Sequence, residues 1–241
     1  MTTFQFNASD FLFLDSALKQ EIIVKKATIK DFFRFVKNNP EKNFELLNGR
    51  IIAMSSASPE HNRIINNIGY HLTHFFRSNK TPCLFYSETN CKIDEYTCVQ
   101  PDIIVICNQT KTNRNLKDPI IVGEVHSTNR KDDREKLIKY QNSQSIKEIL
   151  MIEQKKVEIT LYSKDANGNW NSSIYRSGDV INFTSIDFSV AIEDIYEEVT
   201  FNKKWDSSIL VFIEFIPKNP NQLRLGFYNI CLLYTSDAAD E

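Results

Sequence analysis

Val99-Gln-Pro-Asp-Ile-Ile-Val-Ile106 and Ile120-Ile-Val-Gly-Glu-Val-His126 are two apolar runs, each carrying one carboxylate, Asp102 and Glu124. Runs rich in β-branched residues and bounded by turn signals read as buried strands, so both acids are expected where the chain otherwise buries hydrocarbon. Burial and mutual repulsion raise the pKa of such a pair, and the remedies are a cation, a basic partner or a shared proton. A divalent metal is the remedy that brings chemistry with it.

The basic partner is sought just downstream, in Arg130-Lys-Asp-Asp-Arg-Glu-Lys-Leu-Ile-Lys-Tyr140. Its composition is helical and its Asp-rich first turn suits the helix dipole. Asp132, Lys136 and Tyr140 fall at i, i+4 and i+8 and so share one face. An ordinary surface pair of Asp132 with Lys136, worth about 0.3–0.5 kcal/mol, is the competing reading of that spacing.

Upstream, Thr28 with Asp31 three residues on opens an amphipathic helix through Ile29, Phe32, Phe33 and Val36. Asn48-Gly49 joins two short strand-like runs, Phe44 to Leu47 and Arg50 to Met54, as a two-residue hairpin. Ser58-Pro59 starts a helix with an Ile64, Ile68, Leu72, Phe75 stripe. Further strands are expected at Cys83 to Tyr86, Val99 to Cys107, Ile120 to His126, Ile149 to Glu153, Val157 to Tyr162 and Trp170 to Arg176, with a helix from Lys131 to Asn142. This order predicts an α/β fold, a mixed β-sheet flanked by α-helices.

Pro101-Asp102, Glu124 and a lysine on the next helix resemble the PD-(D/E)XK restriction-endonuclease-like superfamily, and within it the Uma-type restriction endonucleases. Phe44-Glu-Leu-Leu-Asn-Gly49, Met54-Ser-Ser-Ala-Ser58 followed by His61, Ile121-Val-Gly-Glu-Val-His-Ser127 and Glu148-Ile-Leu-Met-Ile-Glu153 are similar to that family's successive motifs. The likeness runs from about Thr28 to about Asp194. Three positions depart from it: Asn48 stands for the usual Asp, Ser56 for the usual Pro, and His126 occupies the lysine position of a Glu-X-Lys triplet.

The resemblance implies a restriction-endonuclease-like fold and metal-dependent hydrolysis of DNA phosphodiester bonds. Asp102 and Glu124 would be the Mg²⁺ or Mn²⁺ ligands, and Lys136 the basic catalytic group in place of His126. Glu45, His61, His126, Asp132 and Tyr140 are accessory candidates. His61 also fits a satisfied core histidine, and Glu45 can face either solvent or the metal. Basic side chains around the two carboxylates, Lys111, Arg114, Lys117, Arg130, Lys131 and Arg134, are candidates for contacting the DNA backbone. A catalytically silent nucleic-acid- or partner-binding domain on the same fold is the rival, since fold and function separate readily.

The chain has 241 residues, 41% hydrophobic and 25% charged, which fits a globular protein with one sizeable core and excludes a disordered class. No apolar stretch approaches the ~18 residues of a membrane span, and the first residues lack a basic region followed by an apolar one, so a cytoplasmic location is expected. A homodimer is a further expectation. The five cysteines form no Cys-X-X-Cys pair and are expected as buried reduced thiols.

Residues 231–241 look like the in-frame translation of a sequencing-library adapter, an artefact tail to be set aside. Three of the chain's 31 acidic residues, Asp237, Asp240 and Glu241, lie there against 29 basic ones overall, so the formal charge turns from −2 to +1 without it. Nucleic-acid binding would then rest on a local patch. The expected organisation is an extension over 1–27, a nuclease domain over 28–205, an unassigned stretch over 206–230 that an off-frame reading would explain, and the tail.

Overall fold

The computed structural model describes residues 26–108, 116–126 and 130–201. Helix α1 (Ile29–Asn38) begins where the sequence says it should: Thr28 Oγ1 accepts the Asp31 amide at 3.3 Å, and Asp31 Oδ2 accepts the Thr28 amide at 3.1 Å. This reciprocal capping satisfies two amides that a helix start otherwise leaves orphaned. Strands β1 (Phe44–Leu47) and β2 (Arg50–Ala53) pair with Leu47 opposite Arg50. Asn48 and Gly49 turn between them at φ 52° and 80°, the left-handed conformations that the tight hairpin requires.

Ser58 caps α2 (Pro59–Ser78), whose Ile64, Ile68, Leu72 and Phe76 are buried at four-residue intervals; Phe76, not Phe75, completes the stripe. Next come β3 (Cys83–Tyr86), β4 (Cys91–Asp94), β5 (Thr97–Val99), β6 (Ile103–Cys107) and β7 (Ile121–His126). Helix α3 (Arg130–Gln141) leads to β8 (Glu148–Glu153), β9 (Glu158–Lys164) and β10 (Trp170–Arg176), followed by β11 (Val180–Phe183), β12 (Phe188–Ala191) and the short α4 (Ile192–Ile195).

The principal sheet has six strands in the order β10-β9-β8-β7-β6-β3. All neighbours are antiparallel except β7 and β8, which are parallel, as α3 crosses between them. A second sheet, β2-β1-β5-β4, has four strands, and β11 pairs with β12 alone. The mixed α/β architecture matches the expectation, with the strands divided among sheets. Val99 to Cys107, expected as one strand, breaks at Gln100-Pro101-Asp102, so that β5 lies in the smaller sheet and β6 in the larger. Pro101 has no amide to give a ladder and suits such a break.

Strand alternation then decides where Glu124 points. Ile121 and Val125 join the cluster under α2 with Ile64, Ile68, Leu150 and Ile152. Val122 joins the opposite cluster, with Tyr140 of α3, Ile149 and Met151. Glu124 shares the face of Val122, beneath α3. Each fully buried aliphatic side chain in these clusters contributes about 1.5–3 kcal/mol of burial, which fixes the register against slippage.

The cysteines correct one expectation. Cys83 and Cys107 are opposite residues of β3 and β6 and form a disulfide. Cys91 and Cys98 are buried free thiols, each pushed up to about 12 by burial, in keeping with inert core cysteines. No described helix is long and apolar enough to cross a membrane.

Candidate active site

Five elements deliver titratable side chains to one cleft of about 380 Å³. Glu124 comes from β7, Asp102 from the break between β5 and β6, Lys136 from α3, Glu45 from β1 and His61 from the first turn of α2. All are buried: Lys136 keeps 7% of its surface, Asp102 7% and Glu124 4%.

Glu124 is held at both oxygens. Lys136 Nζ donates to Oε2 at 3.1 Å and the Tyr140 hydroxyl donates to Oε1 at 2.5 Å. The same ammonium reaches Glu45, at 3.0 Å from Oε1 and 2.9 Å from Oε2. Asp102 Oδ2 accepts the amide of Val125 at 2.7 Å, which ties the Pro-Asp turn to the residue following Glu124. His61 Nε2 lies 3.2 Å from that oxygen. The helix cap Ser58 orients the first turn of α2 by accepting the His61 amide at 3.2 Å, and Gln154 Nε2 donates to the same hydroxyl at 2.6 Å.

Burial raises the pKa of Glu124 to about 8; Lys136 and Tyr140 oppose the rise, while Asp102 and Glu45 add to it. For Lys136, burial alone would favour the neutral amine, but the Glu124 and Glu45 carboxylates outweigh it and hold the group well above the ordinary lysine range. The two directions pull against each other, since a protonated Glu124 would attract the ammonium less. The lysine stays charged in either case, because both oxygens of Glu45 lie within 3.0 Å of it. Burial would likewise lower His61, yet its hydrogen bond and charge contact with Asp102 raise it.

The structure thus brings together Asp102, Glu124, Lys136, Glu45, His61 and Tyr140. The reading of Lys136 as a surface partner of Asp132 is overturned: α3 turns it inward, and Arg50 on β2 lies 3.5 Å from Asp132. His126 sits at the edge of the cleft with Nδ1 2.8 Å from Asp133 Oδ2. Lys117, Lys131 and Arg134 are exposed. Lys111, Arg114 and the side chain of Arg130 lie outside the described residues, as do 1–25 and the stretches from 202 onward. Several supporting residues were not foreseen: Gln100, whose amide binds Glu45 Oε1 at 2.6 Å; Asp133; and Glu135, which anchors α3 to Arg50 at 2.6 Å. The partners of Gln100 and Glu135 lie 55 and 85 residues away in the chain, so no local spacing announces them, whereas Asp133 meets His126 only seven residues back.

Among the described residues no group of three or more His, Cys, Asp or Glu side chains forms a ready-made metal cage. The donor chemistry nevertheless suits a hard divalent cation. Glu45, Glu88, Asp102, Glu124, Asp132 and Asp133 line the cleft against Lys136 and Lys155. Both hydrogen-bond contacts of Asp102 fall on Oδ2, which leaves Oδ1 with acceptor capacity, and each oxygen of Glu124 retains a lone pair.

A six-stranded mixed sheet with a carboxylate-lysine cleft at the strand break defines a restriction-endonuclease-like α/β protein. The chain belongs to the Uma2 family, described as "putative restriction endonuclease", whose pattern matches residues 29–193. It is 27% identical over 192 residues to the uncharacterized protein slr1290 of Synechocystis sp., spanning 73% of this chain and 94% of that one. Its fold is similar to the crystal structure of a DUF820 putative nuclease from Anabaena variabilis, with a TM-score of 0.58 and 14% identity over 70% of this chain and 97% of the other.

Proposed function

We propose that the protein is a metal-dependent endonuclease that hydrolyses DNA phosphodiester bonds, with residues 28–205 as its nuclease domain. The observation that carries this reading is the placement of Lys136 Nζ 3.1 Å from Glu124 in the cleft that also holds Asp102. Asp102 and Glu124 would hold Mg²⁺ or Mn²⁺. A bound ion of this kind supplies Lewis-acid polarisation of the phosphoryl oxygen and a more acidic water.

The remaining work falls to side chains. Lys136 presents a permanent positive charge where a cleaved phosphodiester develops negative charge, in a buried setting where that charge is weakly screened. Tyr140 fixes the carboxylate plane of Glu124, and His61 with the Val125 amide fixes that of Asp102. An acid-lined cleft repels a phosphodiester by itself, so cations within it and basic side chains around it are both needed. Exposed Lys117, Lys131 and Arg134 are the candidates for the second purpose, to which the sequence adds Lys111, Arg114 and Arg130.

Incubating the purified protein with supercoiled plasmid tests the reading. Nicked or linear product is expected with Mg²⁺ or Mn²⁺ and none with EDTA. The rival binding-domain reading draws on one observation, that Lys136 is already neutralised by two carboxylates. Retarded plasmid without cleavage under either metal would favour that rival.

A further inference from the structure

The acid on β1 is placed differently from the other two. Glu45 directs both oxygens at Lys136, at 3.0 and 2.9 Å, and its Oε1 also accepts the Gln100 amide at 2.6 Å. Gln100 is the residue before Pro101-Asp102, and its side chain reaches back to the Phe44 carbonyl at 3.3 Å. One carboxylate therefore touches the lysine of α3 and the turn that carries Asp102. It is 5% exposed, so its charge is weakly screened and its attachment to the ammonium is strong.

Lys136 meanwhile stands as the resident cation of Glu124, only 3.1 Å away. A divalent ion held by Asp102 and Glu124 competes with the ammonium for the same carboxylate. Two cations close together repel each other, and an unanchored ammonium would leave for solvent.

We infer that Glu45 is a positioning residue and not a metal ligand: it retains Lys136 in the cleft when a divalent cation takes over Glu124. This inference rests on the metal-dependent reading proposed above. Glu45 acts through the lysine alone, by keeping a second carboxylate on an ammonium that would otherwise have to choose between Glu124 and water. The Gln100 contact keeps that carboxylate in place while the partner on the far side changes.

Lysine acetylation read by peptide mass spectrometry tests it on the full chain, with exposed Lys147 as the internal standard and metal binding followed by calorimetry. In wild type, Lys136 is expected to be protected with and without MgCl₂. In Glu45→Gln it should stay protected without Mg²⁺, where Glu124 still holds it, and be labelled at least threefold faster with Mg²⁺. Glu45→Asp, which keeps the charge and shortens the reach, should show the same Mg²⁺ dependence to a smaller degree, and serves alone if the Gln variant does not fold.

Labelling that rises equally with and without Mg²⁺ would mean that Glu45 merely supports the structure. A Mg²⁺ affinity at least tenfold weaker in Glu45→Gln, with Lys136 labelling indifferent to Mg²⁺, would make Glu45 a ligand. Either result overturns the inference and leaves the metal site standing. If wild type binds neither Mg²⁺ nor Mn²⁺, the metal reading falls and this inference falls with it.

Discussion

Tyr140 and Lys136, one helical turn apart on α3, grip opposite oxygens of Glu124: the hydroxyl takes Oε1 at 2.5 Å and the ammonium Oε2 at 3.1 Å. The i, i+4 spacing places both groups over one acid on the strand beneath. Tyr140→Phe removes a donor from a carboxylate that water barely reaches. A loss of about 1–3 kcal/mol is expected, read as a lower denaturation midpoint at unchanged m-value. An unchanged midpoint would show that this hydrogen bond does not contribute.

Lys136→Met should abolish plasmid cleavage, whereas His126→Gln should cost much less, because His126 is turned toward Asp133. Removing the ammonium also leaves Glu45 and Glu124 buried without their counter-charge. Breaking such a pair costs about 3–5 kcal/mol, so the variant must be assayed below its lowered melting temperature. A folded Lys136→Met enzyme with wild-type rates would reject the assignment, and an inactive His126→Gln would move the role to the histidine.

These arrangements divide into what neighbouring residues specify and what only the tertiary structure can. Thr28 with Asp31, Asn48-Gly49 and Ser58-Pro59 each act within a few residues, and the caps and turn formed where the sequence placed them. Asp102, just before β6, and Glu124 of β7 were visible because a carboxylate among β-branched residues is out of place. Glu45 could not be assigned a side, since every residue of β1 is buried and its partner, Lys136 of α3, lies 91 positions on. Lys136 had a local suitor in Asp132, and only the packing of α3 on the sheet decides against it. Strand β4 was missed because Lys92 and Asp94 interrupt its short apolar run. The pair β11 and β12 was missed although Ile181 and Phe183 alternate visibly with exposed neighbours.

Gly123 shows how tightly β7 is packed behind its acid. A Cβ there would lie 3.1 Å from Ile103 Cβ and Cδ1 and 3.2 Å from Leu150 Cβ, with neighbouring strands on both sides. Overpacking of this kind costs about 1–3 kcal/mol. Gly123→Ala is expected to lower the melting temperature by several degrees and to weaken metal binding by shifting Glu124. A variant as stable as wild type would mean that β6 and β8 yield readily.

The raised pKa of Glu124 has a sign that can be checked. Its folded value, about 8, exceeds the ordinary 4.5, so the native state binds the proton more tightly than the unfolded chain. Stability from this group is fully present below about pH 4.5 and is lost as pH rises toward 8. Glu124→Gln cannot ionise and should escape that loss, gaining on wild type across this window by on the order of a few kcal/mol. Lys136 titrates above the window, so its contribution stays constant within it. Urea melts of both proteins from pH 4 to pH 9 measure the difference, and a gap that stays flat with pH would show that Glu124 remains ionised in the native protein.

Metal binding should separate the two acids from the scaffold they sit on. Asp102→Asn keeps an oxygen for the Val125 amide at the position of Oδ2, now 2.7 Å away, and so preserves the turn while removing the charge. Mn²⁺ affinity is expected to fall at least tenfold in Asp102→Asn and in Glu124→Gln, with no loss of unfolding temperature without metal in either, since deleting a buried charge relieves desolvation. Calorimetric titration gives the affinity, and circular dichroism the fold. Wild-type affinity in both variants would remove Asp102 and Glu124 as ligands and leave the cleft's other acids to be tested.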